Sequence, residues 1–572
     1  MNVASRRVAG VERGPFACAV VGGSVIVAEL SAHTPFWVGA LVMVAVLLTV
    51  TVRFRGRTAA RWCLDWLDFR FGRADRIAEL VRPAQVREVE VASGACGIRS
   101  DGDVLVAMIQ LAPNLDLPTV IAEQTVYTED TIPVDLLLPM LDQYGLSVDI
   151  DIVTTGQRVR SAGSYSMLYD QLIGPNPVVG NRLTWLVVRL DQERNLSVLS
   201  RRGPCEVVAP KALATAAHRI AGRLRERGIS AHALPAEALA DATRMLHAGI
   251  ELGDVQEGWQ SLHTSVPGRF VTSFGIDWSE LDDIGLDDCW TWNNGRTTLV
   301  VSLSAVDSGP RAMVRYVGPA MADVLPDYLR PLPGRQLTAL MATLPTGTSV
   351  RALAQDERAV EPAPTEEAAG ISVAIGPNGQ ILGAISGQPR HRLALPLFDP
   401  ARYNPRRRSI DVHTSLPVAQ QIILRATVVG ADIEVHTNRP QRWQHLVSAV
   451  GDPRSLRLAD GPDSGQADAE PNNATIVVFD QIPPHASSAQ TTVSINDPGA
   501  RRRRAVDLVI EQVSDSAVEV NIPMRTVRVN LIEPRGETRY LDFGEQQSPV
   551  SAPPTGVMPT VPVSRPVGRR VI

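Results

Sequence analysis

Apolar and polar positions divide this chain into a greasy start and a long mixed remainder. Pro15–Ala28 and Phe36–Val52 are apolar stretches joined by the short link Glu29–Pro35. The hydrocarbon core of a bilayer is about 30 Å thick, which takes about 20 helical residues at about 1.5 Å each. Leu30 to Val52 carries no formal charge and is long enough to span. Gly14–Ala28 is also uncharged and gains length with Glu29 at the far interface. The pattern predicts two transmembrane helices, a hairpin anchor over residues 1–57. A signal peptide would instead show one short apolar core and a small-residue cleavage site. The second apolar stretch and the arginines behind it disfavour that alternative. Beyond the anchor, Ala59, Trp62, Trp66 and Phe69 recur at helical spacing, predicting a juxtamembrane or stalk helix within residues 58–84. Tryptophan favours the headgroup zone and arginine stems snorkel there, but an aromatic face equally suits packing on a soluble body.

In the remainder one local pattern recurs: an apolar helix, a stopping glycine, an alternating strand. It runs Pro133–Tyr144, Gly145, Leu146–Val153; then Pro210–Arg227, Gly228, Ile229–Leu234; then Pro417–Val429, Gly430, Ala431–His436. Glycine takes the left-handed conformation that ends a helix and turns the chain. Leu213, Ala217, Ile220 and Leu224 form the buried stripe expected of the second helix. Strands Leu183–Leu190 and Ser409–His413 precede the last two helices, and further helices are expected at Pro235–Leu246 and Pro440–Val450. Strand-helix-strand order predicts βαβ-type units, whose right-handed crossover makes paired strands parallel. Val104–Leu111 and Thr297–Leu303 read as strands, and Ile371–Ile375 and Gln380–Ile385 as a hairpin around Gly376-Pro377-Asn378-Gly379. Ala354–Gly370 and Ala459–Asn473 are too polar and small to offset ordering entropy, and the proline-rich end is expected to be disordered. The expected fold class is α/β: two N-terminal transmembrane helices, then a large cytosolic α/β domain and a disordered C-terminal tail. Its parts are 1–57 anchor, 58–84 stalk, 85–353 first α/β part, 354–370 linker, 371–545 second α/β part and 546–572 tail.

Charge orients the anchor. Arg6, Arg7 and Arg13 precede it, Arg53, Arg55, Arg57 and Arg61 follow it, and the link has no Lys or Arg. The positive-inside rule then keeps the N-terminus and the large C-terminal domain in the cytoplasm, a two-pass arrangement in the inner (cell) membrane. The net charge of −5 gives no case for nucleic acid. Five scattered cysteines (Cys18, Cys63, Cys96, Cys205, Cys289) form neither a disulfide framework nor a zinc motif. Lys211 is the only lysine and sits in no phosphate loop. Neither nucleotide-loop, zincin, serine-hydrolase nor kinase motifs occur.

Four features suggest chemistry. Asp149 and Asp151 share one strand face about 7 Å apart, as metal-assisted nucleotide binding would need, although the polar face of a half-exposed strand has the same pattern. Gly376, Gly379, Gly383 and Gly387 resemble a phosphate loop, but their flanks alternate like strands. Asp282, Asp283, Asp287 and Asp288 lie beside Trp278, Trp290 and Trp292 without metal-loop spacing. Arg406–Arg408 and Arg501–Arg504 are basic runs suited to membrane lipid, an acidic partner or plain solvent. His218, on a helix, is expected to be packed or exposed. No catalytic, cofactor-binding or metal residue is assigned.

The order of several runs resembles the EccE family of type VII (ESX) secretion components. They are the Arg- and Trp-rich exit Arg53–Arg76; Gly102–Leu111 with Pro118–Ile121; Val148–Val153 with Gly156–Val159; Tyr169–Gly174; Arg182–Arg189; Ala216–Gly228; Gly376–Gly387; and Leu395–Asp399. The resemblance covers most of Pro15–Pro498. It implies a structural, non-enzymatic subunit of an inner-membrane hetero-oligomer with EccB, the EccC ATPase and EccD, which exports WXG100 and PE/PPE proteins. It implies no cofactor and no catalytic residues. The competing reading is a membrane-anchored glycosyltransferase-like enzyme using Asp149 and Asp151.

Overall fold

The computed structural model describes residues 57–72, 76–78 and 85–543, apart from 124, 161–162, 282–284, 293, 322–324, 354–359, 365–369, 460–473, 502 and 504, with 37–38, 44 and 53–54 before them. Most of the expected anchor, most of the 354–370 linker and the tail 546–572 lie outside the described residues. Among the described residues no helix is long and apolar enough to cross a membrane.

The fold is a mixed α/β body dominated by two large sheets. The helices used below are α1 (Ala59–Phe71), α2 (Tyr165–Ile173), α3 (Leu196–Ser200), α4 (Cys205–Glu226), α5 (Ala236–Leu246), α6 (Gln336–Ala342), α7 (Leu416–Val428) and α8 (Pro440–Val450). The first sheet holds β1 (Gln85–Val91), β2 (Gly94–Asp101), β3 (Val104–Leu111), β4 (Asp149–Gln157), β5 (Asn181–Asp191), β6 (Phe270–Ile276), β7 (Arg296–Leu303) and β8 (Arg311–Gly318). Their spatial order is β6-β8-β7-β4-β5-β3-β2-β1, every neighbour antiparallel. Strand period two splits β3 between two cores. Leu105, Ala107, Ile109 and Leu111 meet Leu213, Ala217, Ile220 and Leu224 of α4. Val106 and Met108 point to the other side, with Leu239 of α5 and Leu337 and Leu340 of α6. Each face of this sheet thus has its own helical cover.

The second sheet holds β9 (Gln380–Ile385), β10 (Gln388–Leu395), β11 (Arg408–His413), β12 (Ile433–Thr437), β13 (Leu456–Leu458), β14 (Ile476–Asp480), β15 (Thr491–Asn496), β16 (Leu508–Ser514), β17 (Ala517–Ile522) and β18 (Arg525–Asn530). The order is β13-β12-β14-β15-β11-β16-β17-β18-β9-β10, extended by Thr119–Ile121 and Val126–Tyr127. It is parallel from β13 to β16 and antiparallel beyond. Ile410, Val435, Val478, Val493 and Ile510 share one core with α7, α8 and α2.

Four expectations need correction. The paired strands around α4 are not parallel neighbours: β5 and Ala231–Ala233 each pair antiparallel with β3, which lies between them. Pro133–Tyr144 is not an α-helix but two 3-10 turns, Val134–Leu136 and Leu138–Met140, followed by a tight hairpin. Pro139 lacks the N–H that an α-helix would donate to the Asp135 carbonyl, while Val134, Leu137 and Met140, all buried, mimic helical periodicity at spacing three. Gly376–Gly379 is not a hairpin turn: Ser372–Ala374 pairs with Thr131–Pro133, whereas β9 pairs with β10 and β18. The link is buried, and Gly379 (φ 76°) passes so close to Pro396 that an added Cβ would lie 2.1 Å from its nitrogen. The α4 helix also begins earlier than Pro210, after Pro204, whose carbonyl accepts from Val207 and Val208. The expected α7 and α8 spans and the glycine stops at Gly228 (φ 82°) and Gly430 (φ 107°) agree with the structure.

Candidate functional site

Alternation does put Asp149 and Asp151 on one face of β4, but each carboxylate is engaged by arginine. Asp151 is fully buried and ion-paired with Arg189 of β5. Arg189 also donates to Thr346 O (2.7 Å) and Leu344 O (3.2 Å), beyond the end of α6. Asp149 accepts from Ser304 Oγ (2.6 Å) and lies 3.0 Å from Arg194. Among the described residues no group of three or more His, Cys, Asp or Glu side chains has the geometry to hold a metal ion.

The other sequence candidates are placed as follows. Asp282 and Asp283 lie outside the described residues. Asp287 sits near Arg182, whose guanidinium is 5.2 Å from the Trp290 ring. Burial pushes the Asp287 carboxyl above the usual range, against the pull of Arg182. Trp278 donates to Glu361 O (3.2 Å), and Trp292 to Tyr328 Oη (3.3 Å), so the three tryptophans brace a folded cap. Arg406 and Arg408 both reach Asp116, at 2.6 and 3.0 Å, and tie the second half of the chain to the end of β3. Arg503 donates its backbone N–H to buried Asp411 (3.1 Å), while Arg502 and Arg504 lie outside the described residues. His218 Nε2 is 3.2 Å from Ala95 O, a packed helix residue. Burial raises the Cys96 thiol to about 12 and raises Cys289 as well, so neither is a ready nucleophile. Trp62 and Phe69 of α1 pack on Trp259 of the body at 5.9 and 5.2 Å, while Trp66 faces outward, 54% exposed.

Two grooves stand out on the surface of the described residues. The larger, about 900 Å³, runs between the end of β3, the 129–139 segment, the end of α4 and the 404–406 loop. It carries Glu129, Asp130 and Asp135 alongside Arg227, Arg406 and His232. Burial holds the Asp130 carboxyl above its ordinary range, although Asn114 N–H donates to it (3.2 Å). Mixed signs select neither anions nor cations there. The smaller, about 510 Å³, lies along α4 beside the Tyr144 hairpin.

Comparison with known proteins bears on the whole arrangement. Residues 178–276, from the approach to β5 through α4 and α5 to the end of β6, match the EccE family of type VII ESX secretion system translocon proteins. The ESX-2 secretion system protein EccE2 of Mycobacterium tuberculosis (strain CDC 1551) is 26% identical over 471 residues, covering 78% of this chain and 82% of its own length. The ESX-1 protein EccE1 of the same strain is 32% identical over 201 residues, 34% of this chain and 43% of its own. The ESX-5 protein EccE5 of Mycobacterium marinum is 26% identical over 326 residues, 54% of this chain and 79% of its own. The family match and the three relatives all point to an EccE-type component of a type VII secretion system.

Three of the runs that carry the EccE resemblance make polar links between elements or shape the loop before β11. Arg158, just after β4, pairs with Asp170 of α2 (3.2 Å) and donates to Gly174 O (2.6 Å), clipping the end of that helix. Tyr169 Oη accepts from Ile381 N (2.8 Å), tying α2 to β9. Asp399 accepts from Ala401 and Arg406 N–H (2.9 and 3.0 Å) and shapes the loop before β11. A second clamp lies deep in the second core. Arg425 of α7 meets Glu537 (2.8 Å), which also accepts from Gln421 (2.9 Å) and Tyr165. At the end of β14, Asp480 accepts from Arg439 (2.7 Å), Thr437 (2.7 Å) and Trp443 (2.8 Å). Sequence reasoning did not single out these arginines. Their signal was a lone arginine inside an apolar run, as in Leu186-Val187-Val188-Arg189-Leu190 and Ile422-Ile423-Leu424-Arg425.

Proposed function

We propose that this chain is an EccE-type structural and interaction subunit of a type VII (ESX) secretion membrane complex. The carrying observation is the fate of its charged residues. The residues singled out for chemistry each have an opposite-charge partner in the fold: Asp151 pairs with Arg189, Asp149 with Arg194, and Arg406 and Arg408 with Asp116. That arrangement suits a rigid scaffold better than a reaction centre, and the names of the similar proteins point the same way. In this reading residues 1–57 form the two-pass anchor, α1 follows as the stalk, and the parts 85–353 and 371–545 form one cytoplasmic body. EccB, the EccC ATPase and EccD are the partners in the same complex, and WXG100 and PE/PPE proteins its export substrates. The body turns over no substrate of its own.

Mild-detergent extraction of the native membrane, followed by sizing, tests this. The full chain is expected to migrate in a particle many times its own mass. A chain lacking residues 1–57 is expected to fold, leave the particle and fail to restore export in a deletion strain. Recovery of the full chain as a solitary particle would overturn the proposal.

A further inference from the structure

We infer that the smaller groove, along the outer flank of α4, is a docking site for an acidic, partly apolar segment of another protein subunit; this rests on the subunit reading above. Its one wall is α4, with Val207, Lys211 and Arg219 along the groove. Its other wall is Gln143, Tyr144 and Leu146 of a tight hairpin, whose turn residues Tyr144 and Gly145 both have positive φ, 57° and 77°. Two successive left-handed residues are what a two-residue hairpin needs, and this one lifts the Tyr144 ring out of the body, 76% exposed. The ring is held by arginine: the Arg219 guanidinium lies 4.5 Å from its centroid and donates to Gln143 Oε1 (3.2 Å). Arg202 donates to Tyr144 O (3.1 Å) from the mouth.

Charge decides the occupant. Arg202, Lys211 and Arg219 line the groove, and no Asp or Glu does. Val207 is 56% exposed, and a tyrosine face with flanking cations offers apolar contact and paired charge together. An acidic amphipathic peptide supplies the complement: carboxylates for the three cations and a side chain for the space beside Tyr144. A bilayer surface fits less well, because the cations line a concave cleft of about 510 Å³ rather than a flat face. The larger groove lacks this polarity, since acids and bases alternate around it.

The chain offers its own probe, because Lys211 is its only lysine. Amine acetylation read by mass spectrometry therefore reports this groove and the N-terminus alone. In the detergent-extracted complex, Lys211 of the full chain should label about tenfold more slowly than in the separately purified full chain. A zero-length carbodiimide should join Lys211 to an Asp or Glu of another subunit. Lys211→Arg should keep the chain in the complex at high salt, and Lys211→Glu with Val207→Glu, both at exposed positions, should release it at lower salt. Equal labelling in the complex and the free chain would overturn the inference while leaving the subunit reading standing. Protection of the free chain by phosphatidylglycerol vesicles, or a crosslink to this chain's own acids, would also overturn it. A chain found only as a solitary particle overturns both.

Discussion

Asp151 shows what a single buried charge is worth in this protein. Removing one partner of a buried ion pair leaves the other uncompensated, so Asp151→Ala should destabilise the fold by about 3–5 kcal/mol. Asp149, at a half-buried position shared with Arg194, should cost under about 1 kcal/mol when changed to alanine. Urea unfolding of the two variants checks the difference, and the double change Asp151→Leu with Arg189→Met should recover most of the loss. The strand face of these acids was legible from alternation. Their partner was not, because Arg189 lies 38 residues away and its remaining donors meet carbonyls after α6. His247 makes a second prediction. It follows α5, and burial with the nearby cations Arg315 and Arg99 lowers it to about 4. The unfolded chain takes up this proton near its ordinary value of about 6.5, whereas the folded chain resists it. Stability should therefore be fully present above about pH 6.5 and fall as pH drops toward about 4. His247→Gln should flatten that slope in unfolding midpoints measured across the interval.

Elements were most legible where local rules met no competing contact. The helices α7 and α8 ended at glycines that the structure holds in the left-handed region, Gly430 and Gly451. Periodicity misled at Pro133–Tyr144, where 3-10 spacing buries Val134, Leu137 and Met140 much as a helix would, and only Pro139 betrayed the difference. Helix α1 posed a choice between lipid and protein for its aromatic face. The structure divides the face: Trp62 and Phe69 pack on Trp259, whereas Trp66 and Phe71 point outward. Trp259→Ala should therefore release α1 without unfolding the body. Hydrogen exchange is expected to rise across Ala59–Phe71, with the main unfolding midpoint unchanged within error. A cooperative loss of the whole fold would show that α1 is integral to it.

At the scale of the molecule, the two sheets are interlocked by chain that crosses between them. Thr119–Tyr127 extends the second sheet, α2 buries Tyr165 and Tyr169 in the second core, and Val373 and Ile375 return to the first. Glu537 closes the structure from the C-terminal side by meeting Arg425 and Tyr165. Truncation after residue 545 should leave the unfolding midpoint unchanged. Truncation after Asn530 strands the Arg425 charge and should cost about 3–5 kcal/mol, read by calorimetry of the otherwise full chain. Periodicity and glycine stops determined α1, α4, α5, α7 and α8 and strands such as β3, β5, β7 and β11, because those signals act within a few residues of backbone. The order of runs along the chain was enough to point to the EccE family, whose model matches residues 178–276. Strand direction, the insertion of β3 between β5 and Ala231–Ala233, and the arginine chosen by each buried acid were decided only by tertiary structure. Those choices set distant side chains and sheet edges against one another, and no local pattern carries their free energy.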